Sequence, residues 1–216
     1  MKKGGVGGAN TNRGGLAFER STDLVARIQR DLNEIYDVRQ ITITQPVIKT
    51  AKGSVYEIIK KSTGNTVGII TKQMQFYNVM YNNYQGLENQ NHKKWKPDEA
   101  FFNFETNTVY IVEKKWQQST GSVDEKIFGF VNKRRLYQNN FNHLSKEPKP
   151  TVEFSALFNK DYWVDGNKGR NEASYADYFD NLRIDGVKIF FDEYDYWWFG
   201  LETPERAVAA VESMIE

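Results

Sequence analysis

The chain has no cysteine among its 216 residues. Disulfides and thiolate metal sites are excluded, which suits a reducing compartment. No apolar run approaches the ~20 residues that a membrane-spanning helix needs. No apolar stretch follows Lys2 and Lys3, so no secretory signal is expected, and the expected location is cytoplasmic. Histidine is scarce, and His92 and His143 lie too far apart in sequence to suggest a ligand pair. Gly4 to Gly8 precede any strand, so they do not form a dinucleotide-binding loop. At this length one domain over 1–216 is expected, and it can bury a large core without staples.

The net charge of +1 excludes nothing, but its distribution is uneven. From Glu172 to Glu216 there are eleven acidic and three basic residues, a net of −8, so residues 1–171 carry +9. A basic body with an acidic end is the asymmetry expected when one face meets a polyanion. The alternative is a solvated acidic C-terminus with no role in binding.

Six of the 16 glycines fall within residues 1–15, so a flexible arm is expected there. Leu24, Val25, Ile28, Leu32 and Ile35 recur at helical spacing within an expected helix from Leu16 to Tyr36. Residues 40–48 alternate as a strand, and 54–60 with 66–75 read as a hairpin around the turn 61–65. Residues 77–97 look irregular. Strands are expected over 98–104 and 109–116 with a turn between them. Ser122 and Glu125 form a capping box, which predicts a helix from about Val123 to Phe141. A strand over 151–158, a short helix around Tyr175 to Leu182, a strand over 187–191 and a helix beginning at Thr203-Pro204 complete the pattern. The expected class is mixed α/β: a central mixed sheet flanked by helices.

The hairpin from Asp98 to Trp116 carries the chemistry. A turn centred between Thr106 and Asn107 sets Asp98 opposite Lys115, with Glu113 one diagonal step away. Alternation puts Glu113 and Lys115 on one face. Cross-strand neighbours lie within ~5–8 Å. Two carboxylates there make a site for a hard cation, and Mg²⁺ commonly takes one or two carboxylates plus substrate phosphate. Lys115 can position or deprotonate an attacking water and offset charge in the transition state. The alternative is an exposed hairpin with an ordinary ion pair between Lys115 and Asp98. Gln117, just past this strand, either touches the site or simply leaves the strand end.

Pro97-Asp98, fourteen intervening residues and then Glu113-Lys114-Lys115 resemble the PD-(D/E)XK nuclease superfamily, whose signature is an acid, a strand hairpin, then acid-any-lysine. The run Arg13-Gly14-Gly15-Leu16-Ala17-Phe18-Glu19-Arg20 is similar to the first core helix of such nucleases. The resemblance covers about 13–140. It implies a restriction-endonuclease-like core and Mg²⁺-dependent phosphodiester hydrolysis, with Glu19 as a further metal ligand. The compact single domain most resembles type II restriction endonucleases, which implies double-stranded DNA as substrate and a homodimer with one active site per strand. A Holliday-junction resolvase, a repair nuclease and a non-catalytic DNA-binding module are the rival readings.

For phosphate contacts, Lys93, Lys94 and Lys96 adjoin the site, and Arg13 sits on the glycine-rich arm. The expected helix behind Ser122 offers free N–H groups at one end and Lys133-Arg134-Arg135 at the other; the alternative is an ordinary solvated helix face. The aromatic run Tyr194 to Phe199 lies in an acidic neighbourhood and reads as core or as a subunit contact.

Overall fold

A computed structural model describes residues 7–84, 87–118, 126–166 and 172–204. The elements are α1 (Gly7–Ser21), α2 (Leu24–Asp31), β1 (Tyr36–Ile41), β2 (Val55–Lys60), β3 (Asn65–Lys72), α3 (Gln75–Asn83), β4 (Glu99–Asn103) and β5 (Thr108–Lys115). They continue with α4 (Phe130–Asn142), β6 (Thr151–Phe158), α5 (Lys160–Trp163), α6 (Glu172–Ile184), β7 (Val187–Phe191) and a 3₁₀ turn at Tyr196–Phe199.

The seven strands form one sheet in sequence order. β1 to β5 are an antiparallel meander, whereas β5, β6 and β7 run parallel. Parallel neighbours need a crossover, and α4, then α5 and α6, supply the two. This is the expected mixed sheet flanked by helices. Two cores lie on its two faces. Val109 and Ile111 of β5 pack with Phe76, Met80, Phe130, Tyr137 and Phe179 from α3, α4 and α6. Tyr110 and Val112 pack with Phe18, Leu24, Ile28 and Phe199 from α1, α2 and the 3₁₀ turn. Strand alternation thus sorts each residue of β5 to one layer or the other.

Several expectations change. The helix from Leu16 to Tyr36 is two helices, broken at Thr22-Asp23, where the Asp23 carboxylate accepts from the Ala26 N–H at 3.1 Å. Residues 7–15, expected as part of a flexible arm, are the first turns of α1; residues 1–6 lie outside the described residues. Packing replaces propensity there: a Cβ on Gly14 would stand 2.2 Å from the Trp116 ring, so the glycine lets the helix lie against the end of β5. The first strand is 36–41 rather than 40–48, set by its pairing with β2. α3 was not foreseen, because Asn and Tyr are weak helix formers. Its buried Phe76, Tyr77, Val79 and Met80 nonetheless share a helical face. Asn78, fully buried, accepts from the Ile48 N–H at 2.8 Å and donates to the Ile48 carbonyl at 3.1 Å, which fixes the strandless loop before β2.

α4 starts at Phe130, so Lys133 stands in its first turn rather than at the far end. Ser122 and the capping box lie outside the described residues, as do residues 205–216 of the expected last helix. The aromatic run is mostly core: Tyr194 and Phe199 are buried, and the Trp198 ring packs on Phe199 and Tyr110. Tyr194 and Phe199 are therefore spent inside one chain, whereas Trp197 is 51% exposed.

Candidate active site

The site forms where β5 ends, at the carboxyl edge of the parallel strands. β4 and β5 pair with Glu99 opposite Val112 and Asn103 opposite Thr108. One step further out, Asp98 stands across from Glu113, and Lys115 takes the diagonal. The expected register set Asp98 opposite Lys115. The turn begins one residue earlier, because the Asn103 side chain accepts from the N–H groups of Glu105 and Thr106 at 2.9 and 3.1 Å. A turn shifted by one residue moves the pairing by two, an even step, so all three side chains stay on one face.

Lys115 Nζ lies 3.1 Å from Glu113 Oε2 and 3.9 Å from Asp98 Oδ2. Asp98 Oδ2 also accepts from the Lys114 N–H at 2.7 Å. From α4, Lys133 Nζ donates to Glu113 Oε2 at 2.9 Å. In the sequence Lys133 stands in a basic run read as a phosphate contact at the far end of its helix, and the crossover from β5 to β6 decides that it instead meets Glu113. The other oxygen of Glu113, Oε1, is buried and has no hydrogen-bond partner among the described residues. The Tyr137 hydroxyl, one turn beyond Lys133, is likewise unpartnered. Burial, then the charge on Glu113, holds that phenol well above its ordinary range.

Buried polar atoms are ordinarily satisfied. A carboxylate oxygen without a donor beside a second carboxylate is the arrangement a hard cation completes. Among the described residues no three acidic or histidine side chains gather closely enough to hold an ion alone. Two carboxylates are enough for Mg²⁺ when substrate phosphate supplies further oxygens. The residues present therefore fit such a cation. Glu19 is exposed and lines a cleft of about 290 Å³ together with Asp98, Lys72 and Lys114. Arg13, Lys93, Lys94 and Lys96 are exposed, with Lys93 over the Trp95 ring at 4.2 Å. Gln117 is buried, and the Asn159 side chain clamps its backbone at 2.7 and 2.9 Å. A larger cavity of about 480 Å³ opens beside the β4–β5 turn, at the other end of these strands, between Tyr84, Phe104 and Pro148. It holds no carboxylate pair.

Residues 91–144 match the family model of the PD-(D/E)XK nuclease superfamily domain. The matched segment is about a quarter of the chain and runs from the loop before Asp98, through β4 and β5, to α4. It contains the acid, the hairpin and the acid-any-lysine of a PD-(D/E)XK motif at Asp98, Glu113 and Lys115, and it also takes in Lys133. Members of the superfamily typically use a divalent metal. No match was found among curated proteins or solved structures. No helix among the described residues is long and apolar enough to cross a membrane.

Burial pushes the Asp98 carboxyl up to about 6 from its ordinary 3.8; Lys115 pulls it down, while Glu113 and Glu19 push it up. Where Asp98 holds a cation, protonation of its carboxyl competes with the metal. Cleavage at sub-saturating Mg²⁺ is therefore expected to fall about tenfold per pH unit below 6. More Mg²⁺ should move the midpoint to lower pH, because the cation favours the carboxylate. Acid does not weaken the fold through this group. Its folded value lies above its unfolded one, so its stabilising contribution is present below about pH 4 and lost as pH rises through 6. Cleavage measured between pH 5 and 7 at two Mg²⁺ concentrations tests this, and superimposable flat profiles would exclude it.

Proposed function

We propose that this chain is a Mg²⁺-dependent DNA endonuclease that cleaves both strands at specific sites, as type II restriction endonucleases do, acting in the cytoplasm. The observation that carries this reading is the unpartnered Glu113 Oε1 beside Asp98, with Lys115 bridging the two carboxylates. Asp98 and Glu113 would hold the cation, and Glu19 would approach it from α1. When bound, the cation polarises the phosphate and makes water a better nucleophile. Lys115 orients the attacking water from the same face and offsets charge at the phosphate in the transition state. Lys93, Lys94 and Lys96, just upstream of Asp98, would grip the duplex backbone, with Arg13 on α1 as a further contact. Phosphate contacts of this kind fix register without reading sequence.

One Asp98-Glu113-Lys115 set per chain makes one cut, so a double-strand break calls for two chains about a twofold axis. Incubation with phage DNA and Mg²⁺ is the test. Discrete bands are expected. Cleavage confined to four-way junctions or damaged duplexes would instead make it a resolvase or repair nuclease. Binding without any cleavage would make it a DNA-binding module. Light scattering with an oligonucleotide duplex should report a dimer, and a monomer nicking one strand at a time would exclude the paired arrangement.

A further inference from the structure

We propose that Lys114 and Glu99 form a positioning pair, on the reverse of the catalytic strands, that sets Glu19 toward the cation held by Asp98 and Glu113. The inference rests on the nuclease reading above.

Lys114 lies between Glu113 and Lys115, but strand alternation sends its side chain to the opposite layer. There its ammonium stands 2.8 Å from Glu99 Oε2, with both side chains only 3% exposed. It also donates to the Thr22 carbonyl at 2.8 Å and the Glu19 carbonyl at 3.3 Å. An ammonium has three protons, and all three are used. Glu99 in turn accepts from the N–H of Leu24, the first residue of α2, at 3.2 and 3.3 Å. The cation therefore meets the carbonyl end of α1 and the anion meets the amide end of α2, the sign each helix end favours. Tyr194 adds a hydroxyl donated to the Thr22 carbonyl at 2.8 Å, and Lys72 lies 3.6 Å from Glu99 Oε1.

The same Lys114 donates its backbone N–H to Asp98 Oδ2. One residue thus touches a proposed metal ligand with its main chain and the backbone of Glu19 with its side chain. α1 carries Gly7, Gly8, Gly14 and Gly15 and has little intrinsic helical preference. Something outside the helix must fix its last turn, where Glu19 is. A buried ion pair is a poor device for stability, since apolar residues often serve as well. It serves geometry here: Lys114 and Glu99 together hold the carbonyls of Glu19 and Thr22 and the N–H of Leu24 across the break between the two helices.

The test is calorimetric titration of the DNA-free protein with Mg²⁺, so that no activity is read. Outer-shell partners of metal ligands typically contribute 10–100-fold in affinity. Lys114→Met combined with Glu99→Leu leaves no lone buried charge and is expected to weaken Mg²⁺ binding about tenfold. Glu19→Gln should do the same, and joining it to the pair variant should add little further loss. Lys114→Arg should restore most of the affinity. Phe179→Leu, on the buried face of α6, should lower the melting temperature and leave Mg²⁺ binding unchanged. Wild-type affinity in the folded pair variant, or full additivity with Glu19→Gln, would overturn the proposal. Should the pair variant not fold, Glu99→Gln keeps an acceptor for Leu24 and removes the negative charge that Lys114 and Lys72 share. A several-fold loss is then expected, and unchanged affinity overturns the idea. Asp98→Asn and Glu113→Gln separate the two levels. If both bind Mg²⁺ like wild type, the nuclease reading fails; if both lose it while the Lys114 variants do not, only the positioning role fails.

Discussion

Replacing Glu113 by alanine is expected to lower DNA cleavage in Mg²⁺ by about three orders of magnitude or more, with the fold retained. The reasons lie in its two oxygens. Oε1 is buried without a hydrogen-bond partner among the described residues, and it is the oxygen proposed above to meet the cation. Oε2 receives both Lys115 and Lys133, at 3.1 and 2.9 Å. Alanine therefore removes the proposed cation ligand and also frees the lysine that should face the phosphate. A bound metal supplies several kcal/mol of transition-state stabilisation. At ~1.4 kcal/mol per decade, that is about a thousandfold. Stability should change little. Lys115 keeps Asp98 nearby, Lys133 is about a quarter exposed and can turn to water, and an unsatisfied buried oxygen is lost. Asp98→Ala should behave alike in cleavage. Gel assays of cleavage with thermal melting of the same samples decide the matter. Wild-type cutting by both variants would remove these residues from the site.

Lys115→Ala is expected to cost about 10²–10⁴-fold in cleavage, the usual range for a positioned proton-transfer or charge-offsetting group. Affinity for duplex DNA should stay within about threefold, because a contact made in the transition state adds little to the ground state. The structure adds a refinement. Lys133 reaches the same carboxylate oxygen from α4, so it is the natural source of any residual activity in the Lys115 variant. Adding Lys133→Ala should remove much of that residue. Single-turnover cleavage and gel shifts, measured side by side, separate the outcomes. If binding and cleavage fall together, Lys115 is a phosphate anchor and not a partner in the chemistry.

Much of the local structure was legible from residue types alone. The strand pair around residues 104–107, the strands over 151–158 and 187–191 and the hairpin of β2 and β3 all follow from alternation or from apolar runs between turn residues. The convergence of Asp98, Glu113 and Lys115 on one face also followed, although the register was misjudged. An error of two residues keeps every side chain on its face, whereas an error of one would have dispersed the three. What misled was the turn itself: Asn103 ends the strand by capping the next two N–H groups, and Asn107 takes a left-handed backbone with φ 50°. The split of the first helix was equally hidden, because Thr22-Asp23 interrupts a stripe that stays apolar on both sides.

The chain by itself determined which residues can carry the chemistry. Strand parity is a local property, so Glu113 and Lys115 had to share a face and Lys114 had to leave it. Only the tertiary structure decided what meets them there. Lys133 arrives because a parallel strand pair requires a crossover, and that crossover is α4. Glu99 and Lys114 become a buried pair because two helix ends of opposite sign meet behind them. α1 can lie against the end of β5 because Gly14 leaves room for the Trp116 ring. Periodicity fixes the face on which a side chain stands; the long-range packing of other elements fixes its neighbours.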